Sequence, residues 1–390
     1  MALAGGDHTT EGNPVRVRPL ISILLGTALA ASVVASIAPA SHAASGPIVI
    51  AVEAPLTGAQ AANGRDMLRG VQLAVRQANA NGGVLGRRVT IVPVDDQANP
   101  DLAKAAVAKA VKAGAVAVIG PYNSSVGVVN LPIYLKRTIV PVHMTSTNDT
   151  DGEGVTVQPK NNQISPIELA YVEASGATSV TMLVDPSTYT QGMADRLNDG
   201  LVAKGVTVTQ IPIAEGQADY AAQVAQALAT NPGLIYVSTY YPEGAKIATA
   251  LEATAPSYPA CLMGLANVDP SFVAEASLAA AQRCVFSGVP TAAEMPGKRA
   301  ATFVKDYRKT FDKEPGVWGI FTYDSANVLF TAMEKAGSTS FAAVLQKLQK
   351  TKNFAGATGK ITIDPQTGNR RVVPVYILKV DAAGDFVVVS

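Results

Sequence analysis

The chain has 390 residues, 48% apolar and 16% charged, with a formal net charge of +1. That length allows two or three domains and ample core. The charge balance argues against a nucleic-acid binder or an acidic interaction tail, because either shows as a large imbalance or a like-charge run.

Residues 1–43 read as a secretory signal. Arg16 and Arg18 precede "PLISILLGTALAASVVASIAPA", and Ser41-His42-Ala43 supplies a small-x-small site for cutting before Ala44. The alternative is a membrane anchor, since residues 20–38 are nearly long enough to span a bilayer. Pro39 and the small-residue exit favour cleavage. Val17 separates the arginines, which argues against the twin-arginine route, and no cysteine follows the cut to carry a lipid. A soluble, exported protein without a lipid anchor is expected.

From Pro47 onward strand and helix alternate. "IVIAVEAPL" is an apolar run ending at a turn, as a strand buried on both faces should. In the helix that follows, Met67, Val71, Val75 and Ala78 share a face, and Asn81-Gly82-Gly83 supplies the left-handed stop. "RRVTIVPVDD" returns as a strand; Asn99 and Pro100 then open a second helix that Gly114 ends. "AVAVIG" is the third strand, and Ser124-Ser125 begin the third helix. After the polar break "STNDTDGEGVTVQPKNNQ" the beat resumes through "SVTMLVD", "VTVTQIPI", "GLIYVST" and "ACLMG", each strand but the last leading to a helix. Such alternation implies two parallel sheets covered on both faces, an α/β protein of two lobes. The helical stretch 298–350 and the strands "KITID", "VVPVYILKV" and "DFVVVS" are expected to complete those lobes.

Cys261 and Cys284 begin apolar segments that read as neighbouring strands. Export permits their bridging, and two buried free thiols are the alternative. Two cysteines alone cannot build a zinc site, and no histidine-rich metal set occurs, so no metal and no cofactor are expected.

Ser124 and Ser125 stand at a strand end, where ligands of parallel sheets bind. As a nucleophile elbow they fail: Asn123 stands where the first glycine of Gly-x-Ser-x-Gly belongs. His143 is the only histidine beyond the signal, lies in an apolar strand, and has no acid between it and Ser125. No catalytic residue is assigned. Gly82-Gly83-Val84-Leu85-Gly86 follows a helix instead of opening one, so it is a turn and no phosphate loop. Asp95-Asp96 reads as capping and loop hydrogen bonding. Two readings of the serines remain: an ordinary helix cap, or donors that, with the helix amides, hold a ligand carboxylate.

Several segments together carry a resemblance: "IVIAVEAPLTG", "RGVQLAVRQANANGGVLGRRVTIVPVDDQANP", "VIGPYNSSVG", "LVDPSTYTQGMA" and "GLIYVSTYYPEGAKI". Over the chain from about Pro47 to its end they resemble the branched-chain amino acid and amide group of periplasmic binding proteins. Asn79-x-x-Gly82-Gly83-x-x-Gly86 followed by a strand and Asp-Asp is the most specific element. The resemblance implies a type I binding-protein fold with Rossmann-like lobes of 46–164 plus 291–371 and of 165–290 plus 372–390, closing by a hinge. It also implies a periplasmic monomer that hands an amino acid or related small solute to an inner-membrane ABC permease. By position, Ser124 would bind a carboxylate through its hydroxyl; Thr147 would add its backbone N–H there and its hydroxyl to an amino group, with the Thr145 carbonyl beside it. Tyr189 and Tyr240 would approach from the second lobe, and Asn63 falls where the family often has tyrosine. The group's ammonium-binding acid is replaced by Ala266, with Asn267 next to it. Neither Asp269 nor Asp324 stands at the matching position. The ligand is therefore expected to be an amide, or an aromatic or aliphatic carboxylate, as readily as an amino acid. A sensor module of the same fold and an exported hydrolase are the other readings.

Overall fold

A computed structural model describes residues 46–389; the signal and its cleavage site lie outside the described residues. Gly46 onward enters β1 (Ile48–Ala54), followed by α1 (Ala61–Ala80), β2 (Val89–Asp95), α2 (Ala103–Lys112), β3 (Ala117–Ile119), α3 (Ser124–Lys136), β4 (Val140–His143) and β5 (Val155–Thr156). These strands form one sheet, ordered β2-β1-β3-β4-β5, every pair parallel. Alternate side chains of β1 serve opposite faces, which is why its sequence is apolar throughout. Ile50 and Val52 pack with Met67 and Val71 of α1. Ala51 packs instead with Val107 of α2 and Tyr134 of α3.

The chain then crosses to a second sheet built from α4 (Asn161–Ser175), β6 (Ser179–Val184), α5 (Thr188–Ala203), β7 (Thr207–Pro212), α6 (Ala221–Ala229), β8 (Leu234–Ser238), α7 (Tyr241–Thr254), β9 (Ala260–Met263), α8 (Pro270–Ala276), α9 (Leu278–Gln282) and β10 (Val285–Gly288). It returns as α10 (Lys298–Phe311), α11 (Gly319–Ala336) and α12 (Phe341–Gln349), then β11 (Phe354–Gly356) and β12 (Gly359–Ile361). It ends in β13 (Tyr376–Val380) and β14 (Phe386–Val388), back on the second sheet. The chain thus passes between the sheets three times. α11 joins the first half by packing along α1, so closely that a Cβ at Gly70 would stand 2.0 Å from the Gly319 carbonyl oxygen. Asp66 fixes the approach, accepting from the Gly319 amide at 2.6 Å and the Tyr307 hydroxyl at 2.8 Å.

The C-terminal strands divide between a hairpin of their own and the edge of the second sheet. "KITID" joins neither large sheet; β12 pairs only with β11, as an antiparallel hairpin. Asp324 holds its turn by accepting from the Ala357 and Thr358 amides at 2.8 and 2.7 Å. The second sheet is also mixed, because β13 and β14 run antiparallel at its edge. A short connection such as Asp381–Asp385 permits only an antiparallel return, since a parallel one needs a long crossover. Cys261 and Cys284 sit at the adjacent ends of β9 and β10, joined as a disulfide with Cα atoms 4.6 Å apart.

Candidate functional site

Gly120 follows β3, and its φ of +108° and lack of a Cβ let the backbone pass the Glu53 carbonyl; a Cβ there would stand 1.9 Å from that oxygen. The chain then turns through Pro121-Tyr122 into α3. Asn123, not a serine, is the residue preceding the helix, and its amide donates to Gln60 at 2.9 Å without capping. The cap reading of the serines is therefore corrected. Ser124 is buried and its Oγ accepts from the Thr147 amide at 3.2 Å. Its hydroxyl proton has no acceptor among the described residues. Ser125 serves another purpose: its Oγ accepts from the Thr188 amide at 3.0 Å and meets the Thr188 hydroxyl at 3.2 Å, bridging α3 to α5 of the other half.

Ser124 opens onto a small cavity of about 10 Å³ between the two halves, bordered also by Met144, Ser146, Gln158, Tyr189, Tyr240, Leu265 and Ala266. Tyr122 and Trp318 complete it. Four rings make a continuous wall. Tyr122 lies 5.5 Å from Trp318 and 6.0 Å from Tyr240, and Tyr240 lies 5.8 Å from Tyr189, all with rings tilted rather than parallel. The space holds about one water, so an organic solute requires these walls to separate. Tyr189 is 4% exposed and its hydroxyl has no partner among the described residues. Tyr241 faces elsewhere, donating to the Ala59 carbonyl at 2.8 Å and so bridging the halves a second time.

The sequence-predicted residues separate into two groups. Ser124, Tyr189, Tyr240 and Ala266 border one cavity. Thr145 and Thr147 do not: along this extended segment Met144 and Ser146 face the cavity, and alternation turns the threonines away. Thr145 bonds His143 and Thr150 at 2.8 and 2.7 Å, while the Thr147 hydroxyl caps the following turn by accepting from the Asp149 amide. Only the Thr147 amide, through Ser124, touches the site. Asn267 donates to the Thr239 and Gly264 carbonyls, tying the end of β8 to that of β9. Asn63 is buried in the first turn of α1 with neither side-chain group partnered, outside the cavity wall. The sequence reading missed Tyr122 and Trp318. Tyr122 stood two residues from Ser124 in the same strand-end loop, whereas the sole tryptophan, in "GVWGIF", comes from a distant segment with no local signal beyond a helix start.

No charged side chain borders the cavity. Buried carboxyl groups act on its tyrosines. Glu168 of α4 accepts from Ser287 at 2.6 Å and Tyr236 at 3.0 Å, and burial pushes it up to about 7. Asp185 caps the entry to α5 through Ser187 and Thr190. Asp269 caps α8 through Ser271 at 2.7 Å, and burial raises it to about 6. Burial, with added repulsion from these acids, raises Tyr122, Tyr189 and Tyr240 above the usual phenol range. On the Ser124 side the buried Lys160 ammonium donates to the Thr147 carbonyl and to Thr150 at 2.9 Å, and pairs with Asp151 at 3.2 Å; burial pulls it down to about 8. His143 is buried and held below its ordinary value by burial and by Lys160; its Nδ1 is engaged by Thr145, and it bonds neither serine. Asp324 is committed to the β11–β12 turn. Asp95 accepts from the Leu56 and Gln97 amides, a loop role.

The periplasmic binding protein family model matches residues 47–385, nearly all of the described chain. The Leu/Ile/Val-binding protein BraC3 of Rhizobium johnstonii is 29% identical over 344 residues, 86% of this chain and 92% of the relative. Among solved structures, a leucine binding protein from Thermotoga maritima superposes with a TM-score of 0.81 at 26% identity, over 88% of this chain and 98% of that one. A branched-chain amino acid substrate-binding protein from Streptococcus pneumoniae, solved with isoleucine, shares the fold at 24% identity and a TM-score of 0.78, over 88% of this chain and 100% of that one.

Proposed function

The chain belongs to the periplasmic binding protein family, with its type I fold, and we propose that it captures a small carboxylate solute, an amino acid or a relative of one, between its two halves. The solute is then handed to an ABC permease of the inner membrane. The protein acts as an exported monomer without chemistry of its own. The lobes are 46–164 plus 291–371 and 165–290 plus 372–390, and the three crossings between the sheets form the hinge.

The observation that carries this reading is the cavity itself. Ser124 from the first sheet and Tyr189 and Tyr240 from the second converge on it, bringing two hydroxyls without acceptors to one buried place. Buried donors left idle cost free energy that a carboxylate recovers. The start of α3 adds the favourable end of its dipole. Opening about the hinge admits the solute, and closing removes water from both sides of it.

A thermal-shift screen of amino acids, amides, and aromatic and aliphatic acids tests the reading. A ligand at a hundred times its dissociation constant adds about 2.7 kcal/mol to stability. The expected result is a shift by at least one class, together with a smaller radius of gyration in solution scattering. No shift and no change of shape with any of them refutes it.

A further inference from the structure

We propose that the solute carries a methylated, permanently cationic ammonium group near its carboxylate, with the cation seated among Tyr122, Tyr189, Tyr240 and Trp318. This rests on the solute-binding reading above and narrows its ligand class.

The first argument is hydrogen-bond capacity. A primary ammonium has three N–H donors; the cavity offers them the unpartnered Gln158 Oε1 but no carboxylate to balance the charge. A fully methylated ammonium has no N–H to satisfy. It needs polarisable surface, and ring faces supply that through the attraction of a cation to the π quadrupole. The four rings are spaced 5.5 to 6.0 Å and tilted by 54 to 66°. A cation where they meet therefore lies within reach of several faces at once once the walls separate. Met144, Leu265 and Ala266 offer methyl groups apolar contact.

The second argument is the field. Repulsion from Glu168, Asp185 and Asp269 adds to burial in raising the three phenols, so their end of the cavity disfavours further negative charge. The ring end of the site is thus electronegative. The opposite end is not: Ser124 offers a free hydroxyl at the mouth of α3, whose dipole favours an anion, and Lys160 beyond Thr147 is balanced by Asp151. A dipolar solute fits that polarity in one orientation, with its carboxylate on Ser124 and its cation among the rings.

The test is calorimetry on the protein with five probes: trimethylglycine, 3,3-dimethylbutanoate, glycine, leucine and benzoate. 3,3-Dimethylbutanoate has the shape of trimethylglycine with a neutral carbon in place of the nitrogen. Trimethylglycine is expected to bind at least ~10-fold more tightly than this isostere, and glycine more weakly than either. Trp318→Leu should shrink the preference for the cation, with its melting temperature confirming that it folds. The preference in the unaltered protein stands as evidence whether or not that variant folds. Equal affinity for the isostere overturns the proposal. Tighter binding of leucine or benzoate also overturns it, while leaving the solute-binding reading intact. A flat response to all five overturns it too, and the broader screen then decides the reading beneath it.

Discussion

Ser125→Ala separates closure from ligand contact. Ser125 does not border the cavity, yet its Oγ accepts from the Thr188 amide at 3.0 Å and meets the Thr188 hydroxyl at 3.2 Å. These bonds join α3 of one sheet to α5 of the other, so they exist only while the halves are together. In the open form water replaces them. Removing the hydroxyl therefore destabilises the closed state alone. Two bonds of about 0.5–1.5 kcal/mol each give roughly 1–2 kcal/mol, after allowance for their shared oxygen. That is roughly a 5- to 30-fold rise in Kd, common to every ligand. Calorimetry with two unrelated ligands, and stopped-flow measurement of release, provide the assay. Both affinities should fall by the same factor, and release should quicken. A change in one ligand's affinity only, or none in either, refutes the idea that Ser125 acts through closure.

Ser124→Ala should weaken binding roughly 10- to 100-fold, because it removes a donor to a charged oxygen and leaves the Thr147 amide without its acceptor. Calorimetry reads this, with an unchanged circular dichroism spectrum as control. Glu168→Gln should flatten the pH dependence of stability. Burial raises this carboxyl from the ordinary range to about 7, so the folded state holds its proton more tightly than the unfolded chain. The stability it contributes is full below about pH 4 and is lost as pH rises towards 7, on the order of 3 kcal/mol. Melting temperatures from pH 4.5 to 7.5 should fall less steeply in the variant; parallel curves would contradict the assignment. Replacing Cys261 and Cys284 with serine reopens a loop of sequence separation 23 and should cost about 3 kcal/mol in chemical denaturation. Reducing agent should then have no further effect on the double variant.

The alternation of strand and helix was legible in the sequence because each signal is local. An apolar run with both faces buried, a left-handed glycine after Asn81 and a proline behind Asn99 act within a few residues of themselves. That Ser124, Tyr189 and Tyr240 would stand in strand-end loops was legible too, since that is where the loops of parallel sheets gather. Which way the Thr145 and Thr147 side chains face was not legible, because alternation along an extended segment has a period of two residues. An offset of one exchanges every side chain, and no feature of "HMTSTND" fixes which set faces inward.

What the sequence by itself determined was the set of elements and their order. Tertiary structure alone decided that Trp318 stands beside Tyr122 across almost two hundred residues, that Ser125 ties the halves while Ser124 faces the cavity, and that "KITID" folds on a small hairpin of its own. The physical reason is that local propensity sets what each segment becomes. Contact between remote segments depends on how whole sheets and helices pack, which no short stretch encodes.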